Sequence, residues 1–318
     1  MPEWWIEPGI GERRAALIED GEIVEARIEL EGMVGAGSVI DARLLHIGDG
    51  GRNAVARDEA GREYLLPRGA PAITQGATTR IEVTRERIPG AEPWKRALAR
   101  VSSAEATRAP PLDARVTSFP GGADEIGRAG WSDLVDEART GVVRFAGGEL
   151  RISPTPAMTL IDVDGYLAPD ELAIIGAREA ARAIRRFDIG GSIGVDLPSA
   201  GSKAARQAAA AAINAKLPQP FERTAVNGFG FVQIVRPRRR ASLVELAQDR
   251  PAFEARALLR RAALELPGAK RLVAHPAVIA VIEATPDWTD RLARQIGGAV
   301  ALRAEAALPI SGAYVEPA

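Results

Sequence analysis

The sequence contains no cysteine, and only 5% of its residues are aromatic. Without cysteine the chain can form neither disulfide bonds nor a cysteine-bound zinc centre, and it fits a reducing compartment. It has no apolar run of about 18 residues, the length that a membrane-spanning helix needs. The first residues, from Met1 to Trp5, lack the pattern of a signal peptide. We therefore expect a cytoplasmic protein with no membrane partner.

The net charge of the chain is also close to zero. The 318 residues carry a formal net charge of −1, with 26% charged and 46% hydrophobic residues, which is ordinary for a globular protein. A basic surface for nucleic acid must therefore be local. The two histidines, His46 and His275, lie far from the motifs described below, and we interpret both as structural or surface residues.

Two short apolar runs each end in a carboxylate. The first, 160–164, contains Asp162 and Asp164, and the second, 192–196, ends at Asp196. The intervening segment predicts a helix, so the three elements form a strand–helix–strand unit with both acids at corresponding strand ends. Mg²⁺ is commonly bound by one or two carboxylates and several waters. On spacing alone, turn or cap residues explain such acids equally well.

The chain as a whole predicts an α+β or α/β multidomain fold. Asp20-Gly21 between two β-prone runs predicts a hairpin, and the short strands with glycine-rich turns that follow it predict a small barrel. We expect five segments: an N-terminal β-hairpin (1–30), a β-barrel (31–103), a linker (104–130), an α/β unit (131–240) and a small C-terminal α/β domain (241–318).

Within the last two segments, apolar periodicity and turn residues predict individual elements. In the α/β unit we expect a helix at 132–139, a hairpin at 141–152, strands at 158–163, 192–197 and 228–235, and helices at 170–186 and 200–216. In the C-terminal domain we expect helices at 243–265, 276–283 and 287–296, and strands at 270–274 and 298–303.

Three stretches of the sequence resemble motifs of the ribonuclease E/G family. They are 158–165, 185–196 and 229–238, and they occur in the order of that family at nearly its spacing. The resemblance extends outside them. It identifies the hairpin with the family's first strands, 31–103 with its RNA-binding OB-fold barrel, and 243–303 with its small C-terminal domain.

The resemblance implies an endoribonuclease that cleaves single-stranded RNA with Mg²⁺ and leaves 5′-phosphate and 3′-hydroxyl ends. In the corresponding motif positions, Asp162 and Asp196 would ligate the metal. Asp164 stands where the family has an asparagine that helps to position the metal-bound water. We expect no DNA partner.

The sequence also departs from the family. It lacks the cysteine-zinc link that joins two subunits, so the oligomeric state stays open. The 104–130 segment is too short for the family's 5′-monophosphate sensor, and Asp164 and Gln233 replace asparagine and glutamate. An alternative is therefore a non-catalytic RNA-binding protein on the same scaffold. A third possibility is a phosphate-handling α/β enzyme unrelated to RNA.

One group of candidate RNA contacts lies in the barrel. Tyr64 resembles a barrel aromatic that stacks on a base, a contact worth roughly 1–3 kcal/mol, although packing in the barrel core is an equal alternative. Lys95, beside Trp94, lies close in the sequence to the position of the family's phosphate-contacting lysine.

A second group surrounds the acidic strand ends. Arg236 and the run from Arg238 to Arg240 could neutralise several phosphates, although such runs are usually solvated. Lys203 and Arg206 begin the helix after Asp196, whose N-terminus favours anions.

Overall fold

The computed structural model describes residues 2–89, 95–109, 111–199, 201–285 and 287–318. Trp94 and residue 200, the start of one predicted helix, lie outside them. The strands, in chain order, are β1 (Glu3–Pro8), β2 (Glu12–Glu19), β3 (Glu22–Leu30), β4 (Val39–His46), β5 (Ala54–Arg57), β6 (Glu63–Leu66), β7 (Thr78–Arg85), β8 (Ala97–Val101), β9 (Arg115–Val116), β10 (Val142–Phe145), β11 (Gly148–Pro154), β12 (Thr159–Gly165), β13 (Gly191–Asp196), β14 (Glu222–Arg223), β15 (Phe231–Arg236), β16 (Lys270–Ala274), β17 (Val300–Ala304) and β18 (Tyr314–Pro317).

The described residues also form eight α-helices. They are α1 (Glu125–Arg128), α2 (Trp131–Thr140), α3 (Pro169–Arg186), α4 (Lys203–Lys216), α5 (Leu243–Leu246), α6 (Arg250–Leu264), α7 (Pro276–Glu283) and α8 (Asp287–Ile296). Across the described ranges, none of these helices combines the length and the apolar character needed to cross a bilayer.

The mixed α/β character of the sequence is confirmed, and the chain divides into two compact units. The first unit consists of 1–31, 114–141 and 246–318, and the second of 32–113 and 142–245. Three separate stretches therefore form one unit, which the five consecutive predicted segments do not capture. In particular, the predicted helix 132–139, observed as α2, belongs to the first unit and not to the α/β unit.

The first unit contains the predicted hairpin. Strands β2 and β3 pair around Asp20 and Gly21, whose φ angles of 53° and 84° are those of a tight hairpin turn. Strand β1 adds to β2, and the short β9 lies parallel to β1, giving the order β3-β2-β1-β9.

The C-terminal elements of the first unit form a second sheet, β17-β16-β18, with α6, α7 and α8. The predicted helix 243–265 is two helices, α5 and α6, because Asp249 caps a new N-terminus: its side chain accepts a hydrogen bond from the Ala252 N–H. The core of this part also includes Ile10, from the turn between β1 and β2, packed in one cluster with Leu272 and Trp288. The C-terminal segment therefore shares its core with the turn that joins the first two strands.

The second unit begins with a closed five-stranded barrel of order β4-β5-β6-β8-β7, which confirms the barrel prediction. Its closing strand β8 was not predicted; it pairs parallel to β6 and antiparallel to β7. Alanine and leucine side chains fill the interior together with Ile81 and Val83.

The rest of the second unit is a six-stranded sheet of order β10-β11-β12-β13-β15-β14. One face is buried: in β12, Ile161 and Val163 are almost inaccessible, while the alternating residues Leu160, Asp162 and Asp164 are exposed. Helix α3 approaches this face so closely that a Cβ at Gly176 would lie 2.4 Å from a methyl of Val163. The opposite face of the sheet, called the open face below, carries the candidate site.

Candidate functional site

The two acids that the sequence singles out lie side by side. Strands β12 and β13 are parallel neighbours, and their register places Asp162 directly opposite Asp196. Neighbouring strands are about 4.8 Å apart, and residues at equal register point to the same face. Both side chains are exposed on the open face. The strand–helix–strand prediction is therefore confirmed, and it brings the two carboxylates together.

Asp164 extends this acidic group along β12. It lies two residues beyond Asp162, so strand alternation puts it on the same face. The guanidinium of Arg151, on β11, lies 3.8 Å from the Asp164 carboxylate and 2.6 Å from Glu149. Arg151 therefore compensates part of the negative charge at this end of the group.

The proximity of these carboxylates affects the protonation of Asp162. Burial raises the pKa of Asp162 above its usual value, and the negative charges of Asp164 and Asp196 raise it further, against a smaller opposing effect of Arg151. Like charges at close range disfavour ionisation of their neighbour. The negative charges of Asp164 and Asp196 therefore act on the Asp162 carboxylate.

A glycine in the middle of β13 shapes the surface beside the acids. A Cβ at Gly194 would lie 2.7 Å from the ring of Phe231 and 3.0 Å from a methyl of Leu160. Because Gly194 has no side chain, the side chains of Phe231 and Leu160 can pack over its backbone. Gln233, one of the departures from the family motif, donates a hydrogen bond of 3.0 Å to Ser192 and so belongs to the sheet's own polar contacts.

The N-terminus of α4, where the sequence predicts an RNA phosphate, already holds a carboxylate. Asp170 accepts hydrogen bonds of 2.9 Å from the Gly201 N–H and from the Ser202 hydroxyl. Lys203 is exposed, and Arg206 is half-buried. A phosphate at this helix end would have to approach the carboxylate of Asp170, so phosphate binding there is disfavoured.

Arg236, at the end of β15, and two of the arginines that follow it have partners within the protein. Arg236 donates hydrogen bonds to the carbonyls of Ile184 and Ile189, at 3.4 and 2.9 Å. Arg238 pairs with Glu245, and the guanidinium of Arg240 lies 3.4 Å from Asp188 and 3.7 Å from Glu86. These contacts favour a structural role, so RNA binding by Arg236 and Arg238 stays a prediction without support from their geometry.

The stacking role predicted for Tyr64 is wrong. Its side chain is only 2% exposed, packs in the barrel core and donates a 2.9 Å hydrogen bond from its hydroxyl to Asp58. Burial and this hydrogen bond raise the pKa of Tyr64. Its position two residues before Leu66 is the signal that sequence reasoning missed, because residues i and i+2 of a strand share a face.

The remaining candidates from the sequence lie outside the acidic group. The Lys95 ammonium lies 3.4 Å from the carbonyl of Pro156, in the loop between β11 and β12. His275 caps α7 through a hydrogen bond from the Ala277 N–H, and His46 is exposed. The structural or surface interpretation of both histidines is confirmed.

Two aromatic residues near the acids were missed by sequence reasoning. Tyr166 follows β12 directly after Gly165, and Phe229 precedes β15; each is 84% exposed. Their sequence signal is their place in glycine-containing turns, Gly165-Tyr166 and Gly228-Phe229-Gly230, where a ring has no strand or helix to pack on.

Within the described ranges, no group of three or more histidine, cysteine, aspartate or glutamate side chains is arranged to hold a metal ion. The paired Asp162 and Asp196 are nevertheless compatible with Mg²⁺, which is often held by one or two carboxylates and several waters. No protein-family model matches the sequence, and no curated protein matches it significantly.

Proposed function

We propose that this chain is a Mg²⁺-dependent endoribonuclease that cleaves single-stranded RNA to 5′-phosphate and 3′-hydroxyl ends. The observation that carries the proposal is the in-register pair Asp162 and Asp196 on the open face of a sheet. Further support is the five-stranded barrel in the same unit, whose strand order and parallel β6–β8 pair are compatible with an OB-fold.

The roles of the residues follow from their placement. Asp162 and Asp196 would hold the cation with their carboxylates, which reduces their mutual repulsion. Bound there, Mg²⁺ would neutralise the scissile phosphate and activate a water. Asp164, on the same face, would orient that water, and Arg151 beside it limits the negative charge that an approaching phosphate meets.

The rival function is a non-catalytic RNA-binding protein on the same scaffold. It is favoured by the lack of a three-ligand metal cluster among the described residues and by the Arg151 guanidinium near Asp164. This rival predicts RNA binding that weakens steeply with salt and needs no cation.

The test is incubation of a 5′-labelled, unstructured, A/U-rich RNA with the protein in Mg²⁺ and in EDTA, together with Asp162→Asn and Asp196→Asn. We expect internal cuts that need Mg²⁺ and that both variants lose. The matched control is Asp287→Asn, whose side chain is 63% exposed in the first unit. RNA that stays intact but shifts on a native gel in EDTA would support the rival function instead.

A further inference from the structure

The open face is unusual in its exposed apolar side chains. Leu160 and Val235 lie on it at 39% and 49% exposure, and Tyr166 and Phe229 lie at strand ends beside the acids at 84%. Single exposed apolar residues are common on protein surfaces. Two nearly fully exposed aromatic rings beside the same three carboxylates are less common. Neither ring packs in a core, so packing does not explain their presence.

Phe229 is held in place by a fixed turn. The side-chain oxygen of Asn227 accepts hydrogen bonds from the N–H groups of Phe229 and Phe231, at 2.9 and 3.0 Å. The Gly230 N–H closes the turn by donating to the Asn227 carbonyl at 3.2 Å. The ring is therefore exposed on an ordered backbone, and positioning it in a complex costs little conformational entropy.

The same turn contacts the segment that follows Asp196. The Leu197 N–H donates to the Gly230 carbonyl at 3.3 Å, and Phe231 is the register partner of Asp196. Gly230 has φ +91°, and a Cβ there would lie 2.1 Å from the Leu197 carbonyl oxygen. This close approach fixes Phe229 beside the β13 end of the acidic group.

Tyr166 lies at the β12 end of the same group. It follows Asp164 by two residues, and its N–H donates a 3.1 Å hydrogen bond to the Gly147 carbonyl. The acids are thus flanked by one ring after β12 and another before β15. An apolar protein partner is disfavoured here, because it would bury three carboxylates that have only Arg151 beside them among the contacts described above, at considerable cost.

We propose that Phe229 and Tyr166 are base-stacking residues that bind nucleotides on either side of the acidic group. The ligand is a single-stranded oligoribonucleotide, because its bases present flat faces to exposed rings while its backbone would pass the cation that Asp162 and Asp196 would hold. The inference rests on the proposed function and adds the residues that select an unstacked, single-stranded substrate.

The test measures binding separately from cleavage. Fluorescence anisotropy with a labelled ten-nucleotide single-stranded RNA, in Ca²⁺ and in EDTA, gives Kd for the wild-type protein, Phe229→Ala, Tyr166→Ala and the aromatic replacement Phe229→Tyr. The control is Leu266→Ala, 83% exposed in the first unit. A second probe of equal length has abasic sugars throughout, and RNA cleavage in Mg²⁺ is measured in parallel.

We expect each alanine variant to raise Kd for the RNA by about five- to 150-fold, the range of one stacked base, while Phe229→Tyr and Leu266→Ala stay within about twofold. The abasic probe should bind the wild-type protein and Phe229→Ala equally, because it offers no base to stack. This pattern supports the inference whether or not the protein cleaves RNA.

Other outcomes overturn it. Cleavage by the wild-type protein together with unchanged Kd in both alanine variants would remove the stacking role and leave the nuclease proposal standing. Equal losses for RNA and the abasic probe would mean that the substitutions disturb the turn and not a stacking contact. A wild-type protein that neither binds nor cleaves RNA would overturn both proposals.

Discussion

A buried ion-pair cluster in the first unit allows a sharp prediction about stability. Glu7 on β1 is 1% exposed, and its carboxylate lies 2.6 Å from Arg14 Nη1 and 2.9 and 3.0 Å from Arg260 Nε and Nη2. Burial alone would lower the pKa of Arg260, but the hydrogen bonds to Glu7 and the charges of Glu7 and Asp124 raise it. The cluster joins the first strand to α6.

The perturbation is Glu7→Ala, which removes the carboxylate shared by two buried guanidinium groups. Breaking a buried pair on one side usually costs about 3–5 kcal/mol, because it leaves a charge without compensation. Here Arg14 and Arg260 line a cavity of about 360 Å³, which gives water access to the groups left behind. Arg14 also retains Glu12, at 2.7 Å, and Arg260 retains Asp124, at 2.6 Å. We therefore expect a loss of about 3 kcal/mol, at the lower end of the range.

The assay is urea unfolding followed by tryptophan fluorescence. Four of the five tryptophans, Trp4, Trp5, Trp131 and Trp288, belong to the first unit, so the signal reports mainly on that unit. The control is Glu305→Ala, which breaks an exposed pair with Arg303 in the same unit and should cost no more than about 1 kcal/mol. Equal losses in the two variants would refute the reasoning about the buried cluster.

The remaining predictions concern the second unit. Tyr64→Phe should lower the free energy of unfolding by about 1 kcal/mol through loss of the hydrogen bond to Asp58, and should leave RNA affinity unchanged in a filter-binding assay. Burial alone would raise the pKa of Asp58, but hydrogen bonds from Arg62 and Tyr64 lower it overall. The stability that Asp58 contributes is therefore complete above about pH 4, its unfolded pKa, and is lost as pH falls through the lower pKa of the folded state. Asp58→Asn should reduce this loss of stability in acid, measured by urea unfolding at a series of pH values. Gly176→Ala should cost about 1–3 kcal/mol by overpacking against Val163, measured as a lower urea midpoint.

Much of the second unit was predictable from local signals. Apolar alternation and glycine-rich turns located the barrel strands, and the strand–helix–strand pattern placed Asp162 and Asp196 at matching register. These features depend on residues close in sequence, where the periods of strands and helices are visible. The barrel strand that was not predicted, β8, buries only the small side chains of Ala97 and Ala99, so its apolar alternation is weak.

The first unit was less predictable, because its contacts join residues far apart in sequence. The Glu7–Arg260 bonds span 253 positions, and no local pattern indicates which distant charge a buried glutamate meets. The same limit applies to Arg236 and Arg238: a basic run looks solvated in sequence, whereas its partners come from α3 and α5. Tyr64, by contrast, could have been assigned to the core from its alternation with Leu66.

The most direct test of the central claim is single-turnover cleavage of one end-labelled single-stranded RNA in Mg²⁺ by the wild-type protein and by Asp196→Asn, with the product ends mapped. We expect 5′-phosphate and 3′-hydroxyl products from the wild-type protein, and a rate loss of more than about a hundredfold in Asp196→Asn, beyond the usual effect of losing an outer-shell partner of a metal. Cleavage at the wild-type rate by Asp196→Asn would contradict the assignment of this carboxylate pair.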